Sequence, residues 1–413
     1  MSKATGRNWS GQGKESGKAE EPLRILRESL KARMQAGILE FIEALFEEQR
    51  QELIGPAWSR KTPEQARSGG SERGSIYLEG RRMPVSYPRV ADEQGSCALP
   101  AYTALRSYDL MAEEVQAKLV RGISTRDYRD VVTQIADGTR LSKTTVSRAF
   151  IKASQKSLDQ INGRDLSKQE FIGLFIDGIS FGEVLIVAAL GVDREGQKVV
   201  LGLQEGHTEN ATVVSALLDN LQERGLVLAE KFLAVIDGAK ALRAALLRRW
   251  QGRVVIARCQ VHKKRNVLEH LPPKYHGDIR RRMSVAYGMQ DYEEALRLLQ
   301  KTVEHLRQIN QDAAASLEEG MEETLTVVKL GLPELLRKTF STTNPVESVF
   351  DGIRSRTRRV KRWRKSNQMV MRWTAATALE TERRFYKIKG HKLLNLLAAA
   401  LEGKKLDGMK EVG

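Results

Sequence analysis

The 413-residue sequence contains only two cysteines, Cys97 and Cys259. Two thiols cannot build the disulfide framework of a small secreted protein, and they cannot supply a four-thiolate zinc site. Long apolar segments are lacking as well, because the longest run, from Val184 to Val192, is less than half of a membrane-spanning helix. No apolar stretch follows Met1. We therefore expect a soluble, cytoplasmic protein without a membrane partner.

Acidic residues are the minority among the charged side chains. The chain has 68 Lys and Arg against 52 Asp and Glu, which gives a formal net charge of +16. Such an excess fits a partner with dense negative charge, and nucleic acid is the expected one. The hydrophobic fraction of 41% is ordinary for a globular protein, so the length predicts two to four folded domains.

The first hundred residues carry structural signals but no chemistry of their own. We expect a loose, disordered tail over residues 1–21 and a helix plus a small β-rich segment over residues 22–100. Apolar residues recur at helical spacing from Pro22 to Leu53, and Pro56 ends this helix. A basic, Gly- and Ser-rich linker and two short strands are expected to follow, over Ser59 to Arg73, Ser75 to Leu78 and Met83 to Tyr87.

Residues 101–165 are predicted to form a DNA-binding region with a helix-turn-helix. The expected helices are Met111 to Leu119, Arg126 to Ala136, and a third one that begins at Ser142; Ser124 with Asp127 caps the second. The third helix opens with polar and basic side chains that can reach phosphates and base edges. A helical hairpin with a polar outer face is the alternative. The candidate DNA contacts are Lys143, Thr144, Thr145, Ser147 and Arg148.

From Phe171 onward the pattern changes to strands alternating with helices. The expected order is three successive strands, a helix, a strand, a helix and a strand, with boundaries at Phe171 to Ile176, Val184 to Val192, Val199 to Leu203, Ala211 to Leu221, Phe232 to Ile236, Lys240 to Trp250 and Val254 to Ala257. This is the order of a ribonuclease-H-like α/β fold, in which an antiparallel meander is extended by parallel strands into a mixed five-stranded sheet.

Two of these strands end in the same residues, Ile-Asp-Gly, at Asp177 and Asp237. A carboxylate at a strand end lies at the sheet edge, where ligands of α/β folds collect, and the following Gly permits a sharp turn. If the two strands are neighbours, the carboxylates converge and repel each other unless a divalent cation lies between them. The alternative for each Asp is a turn residue that satisfies its own backbone.

A third carboxylate is expected at Glu347, within the segment Thr342 to Ser348. Thr343 or Asn344 can cap a helix there, so Glu347 falls in the first helical turn, where a solvated glutamate is the alternative interpretation. On this helix Glu347, Asp351, Arg354 and Arg358 share a face. Asp351 either assists Glu347 or pairs with Arg354, and Gly352 weakens the helix by roughly 1 kcal/mol relative to Ala.

These residues together resemble the prokaryotic Mutator-type DDE transposases of insertion sequences. The matching motifs are Val235 to Leu242 around the second aspartate, Arg258-Cys-x-x-His262-Lys-x-Arg265-Asn, Thr342-Thr-Asn-x-x-Glu347-Ser, and the basic run Arg356 to Trp363. The likeness covers roughly Ser124 to the C-terminus. Each motif is weak alone, but their order along the chain is specific.

The resemblance implies a transposase that binds the terminal inverted repeats of an insertion sequence in a bacterial nucleoid. Asp177, Asp237 and Glu347 would hold two Mg²⁺ (or Mn²⁺) ions for cleavage and strand transfer of double-stranded DNA, by a homodimer or higher oligomer. Residues expected near the site or the DNA are Cys259, His262, Lys263, Arg265 and Asn344. Further DNA contacts are expected from Arg354, Arg356, Arg358, Arg359, Lys361 and Arg362.

Two details near these motifs have competing interpretations. Cys259 and His262 are spaced like half a zinc site, but no partner pair has suitable spacing, so we favour contacts of His262 with DNA or with the carboxylates. Lys263, Lys264 and Arg265 suit a phosphate-facing helix. Trp250 either stacks on an unpaired base or, as we favour, lies in the core.

The hundred or so residues between Asp237 and Glu347 are too many for a compact nuclease. We therefore expect a helical insertion at 261–336, a catalytic core from 166–260 and 337–365, and C-terminal helices at 366–413. One alternative function is a catalytically silent DNA-binding regulator derived from a transposase. Another is a ribonuclease-H-like nuclease of repair or of RNA, which the long insertion disfavours.

Overall fold

The computed structural model describes residues 16–54, 66–78, 81–92, 95–97, 99–106, 108–123, 143–206, 211–358, 360, 363 and 368–404. The chain divides into two compact units, Met1–Ala153 and Ser154–Gly413. Among the residues described, no helix combines the length and the apolarity that crossing a bilayer requires.

The first unit is built on a long helix and a three-stranded antiparallel sheet. Its elements are α1 Ser16–Ile54, β1 Ala66–Leu78, β2 Arg81–Asp92, β3 Gly95–Cys97, α2 Pro100–Arg106 and α3 Tyr108–Val120. Ile42 and Phe46 of α1 are buried in one apolar cluster with Ile76 and Val85 of the sheet. The amphipathic second half of α1 therefore covers the sheet.

Two boundaries of this unit differ from the sequence-based expectation. α1 begins at Ser16, inside the segment expected to be a tail, and β1 begins at Ala66, inside the expected linker. A register shift between Ser68 and Ser71 contains Gly70 at φ 78°, so a bulge accommodates the Gly-rich stretch while pairing with β2 continues. Glycines that looked like linker residues are thus strand residues.

The expected helix-turn-helix is described only in part. α3 ends before Gly122, whose φ is 98°, as expected; the helix at 126–136 and the caps Ser124, Asp127 and Ser142 lie outside the described residues. α4, Lys143–Asn162, has 20 residues instead of the short helix expected. Val146, Ala149 and Phe150 are buried, whereas Thr144, Ser147 and Arg148 are exposed. The side chains of Lys143 and Thr145 are outside the described part.

The second unit contains a mixed five-stranded sheet, as predicted. Its strands are β4 Glu170–Phe181, β5 Val184–Asp193, β6 Lys198–Gly206, β7 Val227–Ile236 and β8 Val254–Arg258, in the order β6-β5-β4-β7-β8. β4, β5 and β6 pair antiparallel, whereas β4, β7 and β8 pair parallel. The strands that carry the two aspartates are therefore neighbours.

One expectation about this sheet was wrong: Asp177 does not follow the end of its strand. β4 continues to Phe181, and Asp177 pairs with Ala188 of β5. On its other side, parallel pairing with β7 stops at Ile176 opposite Ile236. The antiparallel partner extends β4 beyond the point where β7 ends, so Asp177 is at an edge only toward β7.

Helices cover both faces of the sheet. α5 Ala211–Glu223 and α6 Lys240–Trp250 contribute to the apolar cluster on one face. The other face shares a continuous core with the remaining helices. Those are α7 Gln260–Glu269, α8 Pro273–Gly288, α9 Tyr292–Arg307, α10 Gln311–Glu318, α11 Met321–Thr324, α12 Thr326–Lys329, α13 Glu334–Phe340, α14 Asn344–Thr357, α15 Met369–Glu382, the 3-10 turn His391–Leu393 and α16 Leu394–Leu401. The segment 261–336 is thus largely helical, as expected, and its apolar side chains belong to the same core as the sheet.

Candidate metal centre

Strand alternation points Asp177 and Asp237 to the same face of the sheet. Phe175 and Val235 lie in the core shared with α14, whereas Ile176 and Ile236 lie in the core on the opposite face. Because side chains alternate along a strand, the residue after each Ile returns to the α14 face. Adjacent strands and a common face bring the two carboxylates toward each other.

Each aspartate also makes the local bond expected of a turn residue. Asp177 Oδ1 accepts a hydrogen bond from the N–H of Gly178 at 2.9 Å, and Asp237 Oδ1 accepts one from the N–H of Ala239 at 2.9 Å. The φ of Gly238 is 111°, a value that favours Gly and lets the chain turn directly after Asp237. These bonds involve one oxygen of each carboxylate and fix its orientation.

Glu347 comes to this point from the first turn of α14. Pro345 lies in the same turn, and Thr343 is the N-cap residue by position. The Thr343 hydroxyl makes no capping bond to a backbone N–H; it donates to Glu347 Oε1 at 3.2 Å instead. Thr343, expected only as a cap, is therefore an orienting partner of the glutamate.

Among the described residues, Asp177, His262 and Glu347 form a group of side chains that could hold a metal ion. Their ligand atoms lie within 4.8 Å of one another, and His262 Nε2 is 3.6 Å from Glu347 Oε1. Asp237 is outside this group of three, but its negative charge acts on Asp177. The expected contact of His262 with the carboxylates is thus present in the structure.

The electrostatics of Asp177 are unfavourable without a cation. Its side chain is only 5% exposed, and burial, with a further contribution from Asp237, raises the pKa of Asp177 to about 6; His262 acts in the opposite direction. A dehydrated carboxylate with acidic neighbours is the environment that a divalent cation stabilises. The hard oxygen donors fit Mg²⁺ or Mn²⁺.

Cys259 and His262 are engaged with each other and with α14. The pKa of His262 is raised to about 9, first by its hydrogen bond with Cys259 and then by the charges of Cys259, Asp177 and Glu347. Burial acts to raise the pKa of the Cys259 thiol, but hydrogen bonds with His262 and Thr343 outweigh it and lower the pKa. An imidazolium is a poor metal ligand, so His262 is suited to neutralise the carboxylates.

Lys263 corrects the expectation of a phosphate-facing lysine. It is only 2% exposed, and its Nζ donates to the carbonyls of Ser316 at 2.5 Å and Glu319 at 2.7 Å. Burial lowers the pKa of Lys263 to about 8. Its neighbour Lys264 donates to Ser284 and lies over the ring of Tyr287. Within the expected phosphate-facing run Lys263 to Arg265, Arg265 is the one exposed side chain.

The arginines on α14 and directly after it differ in what they contact. Arg354 is exposed and pairs with exposed Asp351 at 3.1 Å. Of the two alternatives for Asp351, the structure therefore shows the ion pair with Arg354. Arg358 is also exposed, whereas Arg356 donates to Gly352 O and to the Thr381 hydroxyl, both at 3.2 Å. Asn344 is exposed beside the site. The remaining expected DNA contacts, Arg359, Lys361 and Arg362, lie outside the described residues.

Trp250 and Arg258 are both buried, but only the burial of Trp250 was expected from the sequence. Trp250 is buried with its ring edge-on to Phe232 at 5.5 Å, so the core interpretation is confirmed. Arg258 was treated only as part of a motif, yet it is 4% exposed and touches the turn after Asp237. An arginine at the end of the apolar run Val254 to Ala257 was the available signal.

Comparison with known proteins identifies a family and several similar proteins. A family described as "Transposase, Mutator family" matches residues 19–387, which extends the likeness farther toward the N-terminus than the motifs suggested. The chain is similar to the transposase for insertion sequence element ISRM5 of Rhizobium meliloti, with 27% identity over 384 residues, 87% of this chain and 92% of that protein. It is also similar to the transposase for IS256 in transposon Tn4001 of Staphylococcus aureus, with 25% identity over 353 residues, 82% of this chain and 88% of that protein.

Proposed function

The chain belongs to the Mutator family of transposases, and from this premise we propose that it cuts DNA at the ends of an insertion sequence and joins those ends to target DNA. The observation that carries the proposal is the convergence of Asp177 and Glu347, within 4.8 Å by their ligand atoms, beside Asp237 on the neighbouring strand. The order β6-β5-β4-β7-β8 supports a ribonuclease-H-like fold for this core.

Asp177, Asp237 and Glu347 are the residues that would hold Mg²⁺ or Mn²⁺, as two ions. Bound divalent ions lower the pKa of an attacking water or 3′-hydroxyl and stabilise the leaving oxygen of a phosphodiester. The chain itself orients the ligands: Gly178 and Ala239 hold the aspartates through their N–H groups, and Thr343 holds Glu347. His262 supplies a positive charge that the developing negative charge of the phosphate would also feel.

Double-stranded DNA is the proposed partner, bound by the chain as a homodimer or higher oligomer. The net charge of +16 supplies attraction that does not depend on sequence. Thr144, Ser147 and Arg148 are exposed on α4, which we propose as the recognition helix, and exposed Arg354 and Arg358 lie on and directly after the helix that carries Glu347. We assign the former to end recognition and the latter to phosphates near the site.

A cleavage assay with a matched pair of variants tests this function. Purified protein is incubated with Mg²⁺ and labelled DNA carrying the inverted repeats that flank its gene. Glu347→Gln should reduce strand cleavage by more than about 100-fold, because loss of even an outer-shell partner of a metal costs about 10- to 100-fold. Asp351→Asn removes the same charge one turn farther along α14 and should leave cleavage within about 2-fold, as expected for an exposed ion pair.

The alternatives predict other products. Binding of the repeats without any cleavage by the wild-type protein would indicate the silent regulator. Cleavage of RNA–DNA hybrids without preference for the repeats would indicate a general nuclease. Equal loss of activity in both variants would remove Glu347 from its assigned role.

A further inference from the structure

A buried arginine lies directly behind the turn that carries Asp237. Arg258 is the last residue of β8, and its backbone pairs with Ile236, the residue before Asp237. The two residues before it, Ile256 and Ala257, are buried and apolar. The charged side chain of Arg258 directly follows these apolar residues, and at 4% exposure it is almost completely shielded from solvent.

The guanidinium of Arg258 fills the space between two glycine turns. A Cβ on Gly238 would lie 2.9 Å from Nε of Arg258, and a Cβ on Gly320 would lie 2.5 Å from its Cζ. Arg258 donates to the carbonyl of Gly238 at 3.2 Å and to the carbonyl of Glu319 at 3.0 Å. One side chain thus ties the turn after Asp237 to the turn that follows α10.

Two carboxylates in the segment 319–323, those of Glu319 and Glu323, also pair with Arg258. Glu323 pairs with Nε of Arg258 at 3.5 Å and also with Arg243 of α6. Glu319 pairs with Arg258 at 3.7 Å and with Lys240, the first residue of α6, at 3.7 Å. The segment 319–323 therefore holds the strand beside Asp237 and the helix after it. The buried amine of Lys263 adds a further bond to the carbonyl of Glu319.

We propose that Arg258 is a positioning residue that sets the Asp237 carboxylate for metal binding and couples it to the segment 319–323. This rests on the proposed function, in which Asp237 is a metal ligand. The Gly238 carbonyl and the Ala239 N–H belong to one peptide group. Arg258 donates to this carbonyl and the Asp237 carboxylate accepts from this N–H, so a bond that fixes the peptide group also fixes the carboxylate. Outer-shell partners of this kind orient metal ligands and determine affinity.

Arg253 offers a matched control within the same pair of strands. It precedes β8 and donates to the carbonyls of Leu228, Ala229 and Glu230 at the opposite end of β7. Arg258→Gln and Arg253→Gln therefore remove the same group and comparable carbonyl bonds, but only the first is next to Asp237. Arg253 is exposed whereas Arg258 is buried, so a purely structural role of Arg258 predicts a larger loss of stability for Arg258→Gln but the same Mn²⁺ affinity for both folded variants.

The test measures Mn²⁺ affinity of the full-length protein without DNA, by titration calorimetry, and amide exchange at Gly238 and Ala239 without metal. Arg258→Gln should weaken Mn²⁺ binding by about 10-fold or more and accelerate exchange at both amides. Arg258→Lys should recover part of the affinity, and Arg253→Gln should bind Mn²⁺ as the wild type does. Wild-type affinity and wild-type exchange in folded Arg258→Gln would overturn the proposal.

A milder variant keeps the test decisive if Arg258→Gln does not fold. Glu323→Gln retains the guanidinium and its carbonyl bonds but weakens its ion pair, and it should reduce Mn²⁺ affinity by about 3-fold. Unchanged affinity in this folded variant then counts against the proposal. If the wild-type protein binds no Mn²⁺, the proposed function fails, while the exchange rates still report whether Arg258 holds the turn.

Discussion

Burial opposes the negative charge of Asp177 and so lowers the stability of the metal-free protein when this carboxyl is ionised. The pKa of the folded-state carboxyl is about 6, above the unfolded value of about 3.9. Between these values the native state binds more protons than the unfolded state, so metal-free stability falls as pH rises through this range. The loss is complete only about one unit above this folded pKa. The paired imidazolium of His262 reduces it but does not remove it.

Asp177→Asn should therefore stabilise the metal-free protein at neutral pH. In EDTA at pH 7.5 we expect a gain in unfolding free energy of up to about 3 kcal/mol, which disappears near pH 4 because the wild-type carboxyl is then protonated. Urea unfolding at four pH values measures it. With excess Mn²⁺ the order should reverse, since metal binds only the folded wild type. A variant that is less stable than wild type in EDTA would contradict this account.

Among single elements, α14 shows why a residue that looks unfavourable in a helix is retained. Gly352 lies in its middle and by propensity alone costs about 1 kcal/mol. A Cβ there would lie 2.7 Å from the hydroxyl of Thr381 on α15 and 3.0 Å from Nη1 of Arg356. The close approach of α14 and α15 requires the missing side chain, so the helix that presents Glu347 is held against its neighbour at the expense of local propensity.

Gly352→Ala should consequently destabilise the protein, by about 1–2 kcal/mol, because overpacking outweighs the gain in helix propensity. Gly277→Ala is the control: Gly277 lies in α8 with nothing within 4 Å of its Cβ position, so this change should stabilise by about 0.5–1 kcal/mol. Urea unfolding of both variants measures the difference. An equal gain for the two substitutions would show that α15 yields to the added methyl group.

The elements differ in how far their sequence determines them. The succession of strands and helices was predictable because turn residues bound each apolar run and because the segments that connect the later strands show helical periodicity. The continuation of β4 past Asp177 was not, since Gly178 resembles a turn residue until β5 supplies the pairing partner. Burial of Lys263 depends on carbonyls of Ser316 and Glu319, some fifty residues away, which no local pattern reports. Sequence thus predicts elements better than it predicts which charges they bury.

In the candidate site as well, local sequence patterns identify some residues, whereas others depend on contacts between distant parts of the chain. Asp177 and Asp237 could be proposed from the sequence because two apolar runs end in the same residues, Ile-Asp-Gly. The local sequence of Glu347 fits two roles, a solvated first-turn glutamate or a metal ligand, and its proximity to Asp177 and His262 supports the second, proposed role. Arg258 and Thr343 act through tertiary contacts with turns and carboxylates, so their types and spacing alone did not assign them a role.

At the scale of the whole molecule, the net charge of +16 overstates the charge available to DNA. Lys263 and Arg258 are buried among backbone carbonyls, and Arg224 donates to the carbonyls of Ile161 and Leu201. Such cations stabilise the fold and meet no phosphate. In the proposed function, DNA is contacted by exposed cations such as Arg354 and Arg358; the ion pair of Arg354 with Asp351 is exposed and therefore weak in water.

The salt dependence of DNA binding should distinguish the exposed arginines Arg354 and Arg358 from Arg356, whose guanidinium is bonded within the protein. Each phosphate neutralised by a cation adds about 0.9 to the slope of log affinity against log salt concentration, because one condensed counterion is released. Arg354→Gln and Arg358→Gln should each lower the magnitude of this slope by about 1 for a labelled duplex carrying the terminal repeat, measured by fluorescence anisotropy from about 50 to 200 mM KCl. Arg356→Gln removes an identical charge, but its guanidinium is engaged with Gly352 and Thr381, so the slope should stay at the wild-type value. If all three variants change the slope equally, net charge alone governs DNA binding and the exposed face of α14 has no special part in it.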